Sequence, residues 1–284
     1  MRPAALRAPA LALLLLSGCF KLDPFLYTPQ RTDRYVFNPV GKDAESTVAA
    51  EQIGEPFFIP VTDQVQIAAV YVRATVQPPR AFALLFHGKG PHMAADGQFE
   101  RAKRLANLGY DTLAIDYRGF GMSTDVTPTE AGIEEDTRAA LAWLTAAAGG
   151  ADRVFLYGHS LGAAIAIQRA SIDPPPALIV ESAFASLEEL KVDASLMDFP
   201  DDYLAKDSWD SSGRIKSIGR ALIIHGLQDD FVRPEFSELL YAQAKEPKQL
   251  VLVEGADHGT CAPMLGPRFA ELVHGWVDQF IAAR

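Results

Sequence analysis

Cysteine is scarce: the 284 residues contain two, Cys19 and Cys261. No framework of several disulfides can hold this chain together, and its stability has to come from a packed core. Positive charge is also short, with 26 Lys and Arg against 36 Asp and Glu and a formal net charge of −10. A chain this acidic is a poor partner for nucleic acid, because phosphates demand Lys and Arg. There is no internal repeat and no low-complexity block, and past the N-terminal segment no apolar run is long enough to cross a bilayer. What is present, 49% hydrophobic and 22% charged residues, is the composition of a globular protein with a sizeable core.

Residues 1–18 stand apart: Arg2 and Arg7 give a positive start, Leu11 to Leu16 an apolar run, and Leu16-Ser17-Gly18-Cys19 follows. This layout predicts a secretory leader, the apolar run being too short to span a bilayer. The L-S-G-C tetrad resembles the lipobox of bacterial lipoproteins, in which the cysteine is lipidated and the chain is cut just before it. The resemblance implies lipid attachment at Cys19, a membrane reached through that anchor, and residence at the cell envelope. Phe20 stands where an Asp would favour inner-membrane retention in Gram-negative bacteria, which points to the outer membrane. With Cys19 lipidated, Cys261 is expected as a lone thiol behaving as a small buried hydrophobe.

Residues 19–55 hold Pro24, Pro29 and Pro39 and no sustained apolar period, so they are expected to form a tether that becomes an irregular arm against the domain. From 56 to 284 the pattern changes. Segments 57–61 and 65–76 are β-rich and flank Thr62-Asp63-Gln64, as in a hairpin. Short apolar runs then alternate with amphipathic stretches at 97–108, 130–147, 161–171, 234–244 and 267–282. The alternation predicts an α/β fold with a mostly parallel central sheet and helices on both faces. About forty residues separate the strand ending near Glu181 from the one starting at Ala221, more than a crossover needs. The segment 185–218, with Met197, Phe199, Tyr203, Leu204 and Trp209 among several Asp, is a candidate lid; a plain surface excursion fits the composition equally.

Gly158-His159-Ser160-Leu161-Gly162 follows the run 154–157 and opens the stretch 161–171. This is the context in which G-x-S-x-G forms a sharp strand-to-helix turn that exposes the serine Oγ at the sheet's carboxyl edge. A helix N-cap serine would explain neither glycine. A serine hydroxyl needs a base to take its proton, and the base needs a carboxylate to orient it. His258, in Ala256-Asp257-His258-Gly259, lies in a loop after the last strand. His225-Gly226-Leu227-Gln228-Asp229-Asp230 ends the preceding one and offers Asp229, with Asp230 as the adjacent fallback and Glu181 a weaker alternative. An oxyanion forming at Ser160 calls for two N–H donors. Leu161 supplies one from its backbone, and Lys89, in the loop His87-Gly88-Lys89-Gly90, the other. His87, His92 and Asp96 could also suggest a metal site, but no H-E-x-x-H pattern accompanies them and the oxyanion loop accounts for His87.

These motifs, together with Asp116-Tyr117-Arg118-Gly119-Phe120-Gly121-Met122-Ser123, resemble the serine hydrolases of the α/β-hydrolase superfamily, most closely the branch of serine aminopeptidase, Bem46-like and ABHD-type hydrolases. The likeness runs over roughly 57–282, with every motif in the family's order. It implies the α/β-hydrolase fold, no metal or organic cofactor, a small-molecule acyl or peptide substrate, and hydrolysis of an ester, thioester or amide through an acyl-enzyme. It also singles out Asp229 over Asp230. The family commonly has Asn after H-G, and Lys89 departs from that. In D-Y-R-G-x-G-x-S, Arg118 is expected to tie loops together by charged hydrogen bonds while the glycines turn tightly. Two other readings stand beside the esterase: an aminopeptidase-like serine peptidase, and a noncatalytic envelope lipoprotein that keeps the fold.

Overall fold

In a computed structural model of the chain, the described residues are 26–95, 97–193 and 207–282. Cys19, the leader and the start of the tether therefore lie outside the described residues, as do Asp96 and residues 194–206 of the lid candidate.

The apolar runs pair as one sheet of β1 (Phe57–Pro60), β2 (Gln66–Val72), β3 (Ala81–Phe86), β4 (Tyr110–Ile115), β5 (Val154–His159), β6 (Leu178–Glu181), β7 (Ala221–Gly226) and β8 (Lys248–Val253). Their order is β1-β2-β4-β3-β5-β6-β7-β8. β2 runs antiparallel to both of its neighbours, and the pairs from β4 to β8 are all parallel. The helices between strands are α1 (Phe99–Asn107), α2 (Glu130–Ala148), α3 (Leu161–Ile172), α4 (Leu187–Asp193), α5 (Ser211–Ile215) and α6 (Pro234–Gln243), and α7 (Cys261–Leu265) and α8 (Pro267–Phe280) follow β8.

Period-two geometry splits each strand between two cores. Leu84, Phe86, Leu156 and Ile223 pack with Ile133 and Leu144 of α2, Ile165 of α3 and Leu240 of α6. Leu85, Phe155, Ile179 and Leu222 pack with Leu105 of α1 and Val273 and Trp276 of α8. Both faces are covered, which is why the strand runs are apolar without alternation.

β2 stops short of the expected 65–76 because its continuation bonds elsewhere. The Ala74 N–H donates to Asp111 Oδ1 at 2.8 Å and the Thr75 N–H to the Ala106 carbonyl at 3.0 Å, at the end of α1. The arm from Leu26 onward lies against the domain. Tyr35 is buried, its hydroxyl bonded to the Asp116 carboxylate and accepting the Met122 N–H at 2.8 Å. Lys103 Nζ donates to the Asn38 carbonyl at 2.9 Å and Arg104 pairs with Asp43 at 2.7 Å.

The carboxyl-side end of the lid candidate is fastened down. Trp209 is fully buried and donates from Nε1 to the Tyr27 hydroxyl at 2.9 Å, which itself donates to Asp207 Oδ2 at 2.7 Å. The Glu130 carboxylate at the start of α2 accepts the Ser208 and Trp209 N–H groups at 2.8 and 3.0 Å.

Arg118 was expected to tie loops together; it instead ties the loop after β4 to α2. Its guanidinium lies 2.8 Å from Asp136 Oδ1, and its backbone N–H donates to Asp136 Oδ2 at 2.9 Å. Burial raises the Asp136 carboxyl from its ordinary value, outweighing the opposing hydrogen bonds and charge of Arg118. A carboxyl raised in the folded state favours folding most below the ordinary carboxylate range, and that contribution is lost as pH rises. Arg118→Met therefore leaves Asp136 buried without its cation. We expect urea unfolding at pH 8 to show a loss of about 3 kcal/mol that shrinks as the pH is lowered toward about 4.

Candidate active site

The parallel strands deliver their carboxyl ends to one edge, where ligands of open α/β sheets bind. Ser160 sits there between β5 and α3, buried to 6% exposure, with φ 56° and ψ −121°. A non-glycine residue in this region costs about 1–3 kcal/mol and persists only where its surroundings over-determine it. They do: the Ser160 N–H donates to the Glu181 carbonyl at 2.9 Å, and its carbonyl accepts the Ala163 N–H at 2.9 Å. The turn closes so tightly that a Cβ on Gly158 would collide with the Gly162 carbonyl, and one on Gly162 with the Phe86 carbonyl.

Asp229 is the acid that meets His258. Its Oδ2 lies 2.8 Å from His258 Nδ1, while its Oδ1 accepts the Phe231 and Val232 N–H groups at 2.9 and 2.8 Å. His225, fully buried, adds a contact absent from the sequence reading. Its Nε2 lies 3.1 Å from Asp229 Oδ2 and 2.8 Å from the Val232 carbonyl, and its Nδ1 2.6 Å from Ser237 Oγ. Burial alone would raise the Asp229 carboxyl; the hydrogen bonds from His225 and His258, the His258 charge and the Val232 N–H overcome it and hold the carboxyl well below the usual range. Asp229 is therefore a carboxylate throughout the neutral and mildly acidic range. Asp230 is exposed. Glu181 is committed to Arg101 at 2.7 Å.

The loop after β8 is pinned beside the serine turn through the main chain of His258. The His258 carbonyl lies 2.8 Å from His159 Nε2 and accepts the Ser182 hydroxyl at 3.1 Å. Burial, the Arg101 charge and His258 push the His159 imidazole well below its ordinary pKa, so it is neutral and its one N–H sits on Nε2, facing that carbonyl. His159 was legible only as the variable position of G-x-S-x-G.

The loop after β3 runs alongside: a Cβ placed on Gly88 would lie 3.4 Å from the Ser160 Cβ. The Gly88 N–H donates to Gln98 Oε1 at 3.1 Å, and Thr28 Oγ1 to the Lys89 carbonyl at 2.7 Å. The Gly88 carbonyl faces His87 Nδ1 at 2.7 Å, so in a trans peptide the Lys89 N–H points away from that ring. Leu161 opens α3, where the first N–H groups have no intrahelical acceptor. Leu161 thus directly follows Ser160, and Gly88, the residue before Lys89, approaches the Ser160 side chain. His87 Nε2 lies 3.0 Å from Asp116 and its ring stacks on Tyr117. No group of three metal-ligating side chains occurs among the described residues. Cys261 is buried, which pushes its thiol up in pKa.

A sheet of this strand order, with a serine on the turn after β5 and a histidine–carboxylate pair from the loops after β8 and β7, defines an α/β-hydrolase. The family model described as serine aminopeptidase, S33, matches residues 77–199. An uncharacterised protein of Mycobacterium tuberculosis is 32% identical over 262 residues, covering 90% of this chain and 89% of the relative. The lysophosphatidylserine lipase of Macaca fascicularis is 34% identical over 182 residues, 58% of this chain and 45% of that protein. Among solved structures, a Pyrococcus furiosus esterase superimposes with TM-score 0.67 at 18% identity, over 88% of this chain and 100% of that one. The chain belongs to the ABHD-type α/β-hydrolase family.

The close approach at Gly162 yields a direct test. Gly162→Ala forces the first turn of α3 away from β3, and we expect about 3 kcal/mol of lost stability, read as a lower urea midpoint. An unchanged midpoint would mean that the turn is not packed as described.

Proposed function

We propose that this protein is a serine hydrolase acting through an acyl-enzyme, and first of all a carboxylic ester hydrolase. The observation that carries the reading is the Asp229–His258 hydrogen bond of 2.8 Å, in a loop anchored to the residue preceding Ser160. In this reading Ser160 Oγ attacks the substrate carbonyl and His258 Nε2 takes its proton. Asp229 fixes the tautomer with Nδ1–H toward the carboxylate and stabilises the imidazolium that forms. The backbone N–H groups of Leu161 and Lys89 receive the oxyanion. His258 then protonates the leaving group, and water, deprotonated by His258, releases the acid and restores Ser160.

Esterase and lipase relatives favour ester substrates, whereas the family model carries an aminopeptidase description. The Lys89 ammonium, 5.5 Å from the Phe231 ring beside His258, would repel a free amino terminus, which supports the ester reading. Lipid attachment at Cys19, with residence at the cell envelope, is part of the same proposal and rests on the Leu16-Ser17-Gly18-Cys19 tetrad. No helix among the described residues is long and apolar enough to cross a membrane.

A fluorophosphonate probe is expected to label the folded protein and to fail on Ser160→Ala. Asp229→Asn is expected to slow labelling by on the order of a thousandfold, and Asp230→Asn by less than about threefold. Equal effects at the two aspartates would refute the acid assignment. Separately, metabolic labelling with a palmitate analogue in a bacterial host is expected to tag the protein and to miss Cys19→Ala; label retained by that variant would remove the anchor.

A further inference from the structure

The mechanism uses the backbone of Lys89 and leaves its side chain unexplained. That side chain is half-buried, and its Nζ lies 5.5 Å from the centroid of the Phe231 ring, which is itself 5.0 Å from the His258 ring. Other buried or half-buried cations have carboxylate partners: Arg101 with Glu181 at 2.7 Å, Lys103 with Glu100 at 2.9 Å, Arg104 with Asp43 at 2.7 Å. Lys89 has none among the described residues, and burial, with no compensating charge, lowers its amine from the ordinary value. In a chain with ten more acidic than basic residues, carboxylates are not scarce, so an ammonium left partly desolvated and unpaired is a cost that something else has to offset.

Two contacts hold this charge on the Phe231 ring, beside His258. Thr28 holds the Lys89 carbonyl at 2.7 Å, fixing the backbone from which the side chain springs. The face of Phe231, 48% exposed, attracts the ammonium electrostatically and keeps it over the rim of the site. The same residue therefore offers an oxyanion donor from its main chain and an unmatched cation from its side chain.

We propose that the Lys89 ammonium recognises an anionic group, a carboxylate or a phosphate, carried by the ester substrate near its scissile bond. This rests on the serine-hydrolase reading and adds the substrate class to it. An anion at that place replaces lost hydration with a charge-assisted hydrogen bond, and neutral or cationic analogues forfeit it. The two chemical sources are a soluble half-ester with a free carboxylate and a lysophospholipid with a headgroup phosphate.

The test uses the full chain and two matched substrate pairs: p-nitrophenyl hydrogen adipate against p-nitrophenyl hexanoate, and palmitoyl lysophosphatidylglycerol against 1-palmitoylglycerol. Within at least one pair the wild type is expected to prefer the anionic member. In Lys89→Met that preference, as a ratio of kcat/KM, is expected to fall about tenfold, mainly through KM; Lys89→Arg is expected to retain it, and high salt to weaken it. The pair that responds identifies the source. Ser160-dependent turnover with no anionic preference, or a preference untouched by Lys89→Met, overturns the Lys89 inference alone. Absence of Ser160-dependent turnover on every substrate overturns the serine-hydrolase reading and this inference with it.

Discussion

At Gly162 the first turn of α3 rests against the carbonyl oxygens of Phe86 and His87, leaving no room for a Cβ. Because β3 and β5 are adjacent and parallel, this contact brings the loop after β3 to the turn after β5. The loop after β3 and Ser160 are thus placed by one backbone-to-backbone approach. The positive φ of Ser160 follows from the same constraint. Its cost of about 1–3 kcal/mol is carried by strands buried on both faces, which hold the strand end and the helix start in place from either side.

Around that turn the polar groups form two sets. Arg118 with Asp136, Arg101 with Glu181 and the hydroxyls of Tyr27 and Tyr35 stitch loops to the layers beneath them. Asp229 is held on one oxygen by two backbone N–H groups and presents the other to two histidines, buried His225 and the more accessible His258. A carboxylate so fully solvated by donors keeps its charge and its position. The His258 ring, 2.8 Å away through Nδ1, is held in the tautomer with Nδ1–H toward that carboxylate. His159, neutral by burial, holds the same loop by its main chain, so His258 is restrained at both its ring and its carbonyl.

Much of this was legible from pattern. Helices were expected at 130–147 and 161–171 and occur at Glu130–Ala148 and Leu161–Ile172, because continuous apolar strands and amphipathic helices leave strong periodic signatures. The serine turn was legible because only glycine survives at its two contact points. What was not legible depends on distant partners. The end of β2 at Val72 is decided by Asp111 and Ala106. The seating of the arm depends on Tyr27 and Tyr35 finding Asp207 and Asp116, contacts 180 and 81 positions apart in the chain. Short α7, five residues long, carries too little periodicity to announce itself. His159 and His225 lay inside motifs read for their neighbours, and their roles rest on hydrogen-bond partners that composition does not encode.

The constrained turn is proposed to make Ser160 the acyl acceptor. That role is tested most directly by rapidly quenching the protein during turnover of an activated acetyl ester and mapping the acyl group by peptide mass spectrometry. An acetyl group is expected on the peptide containing Ser160, formed as the alcohol leaves and removed with water. Steady hydrolysis with no acylated peptide, or an acyl group residing on another residue, would contradict it.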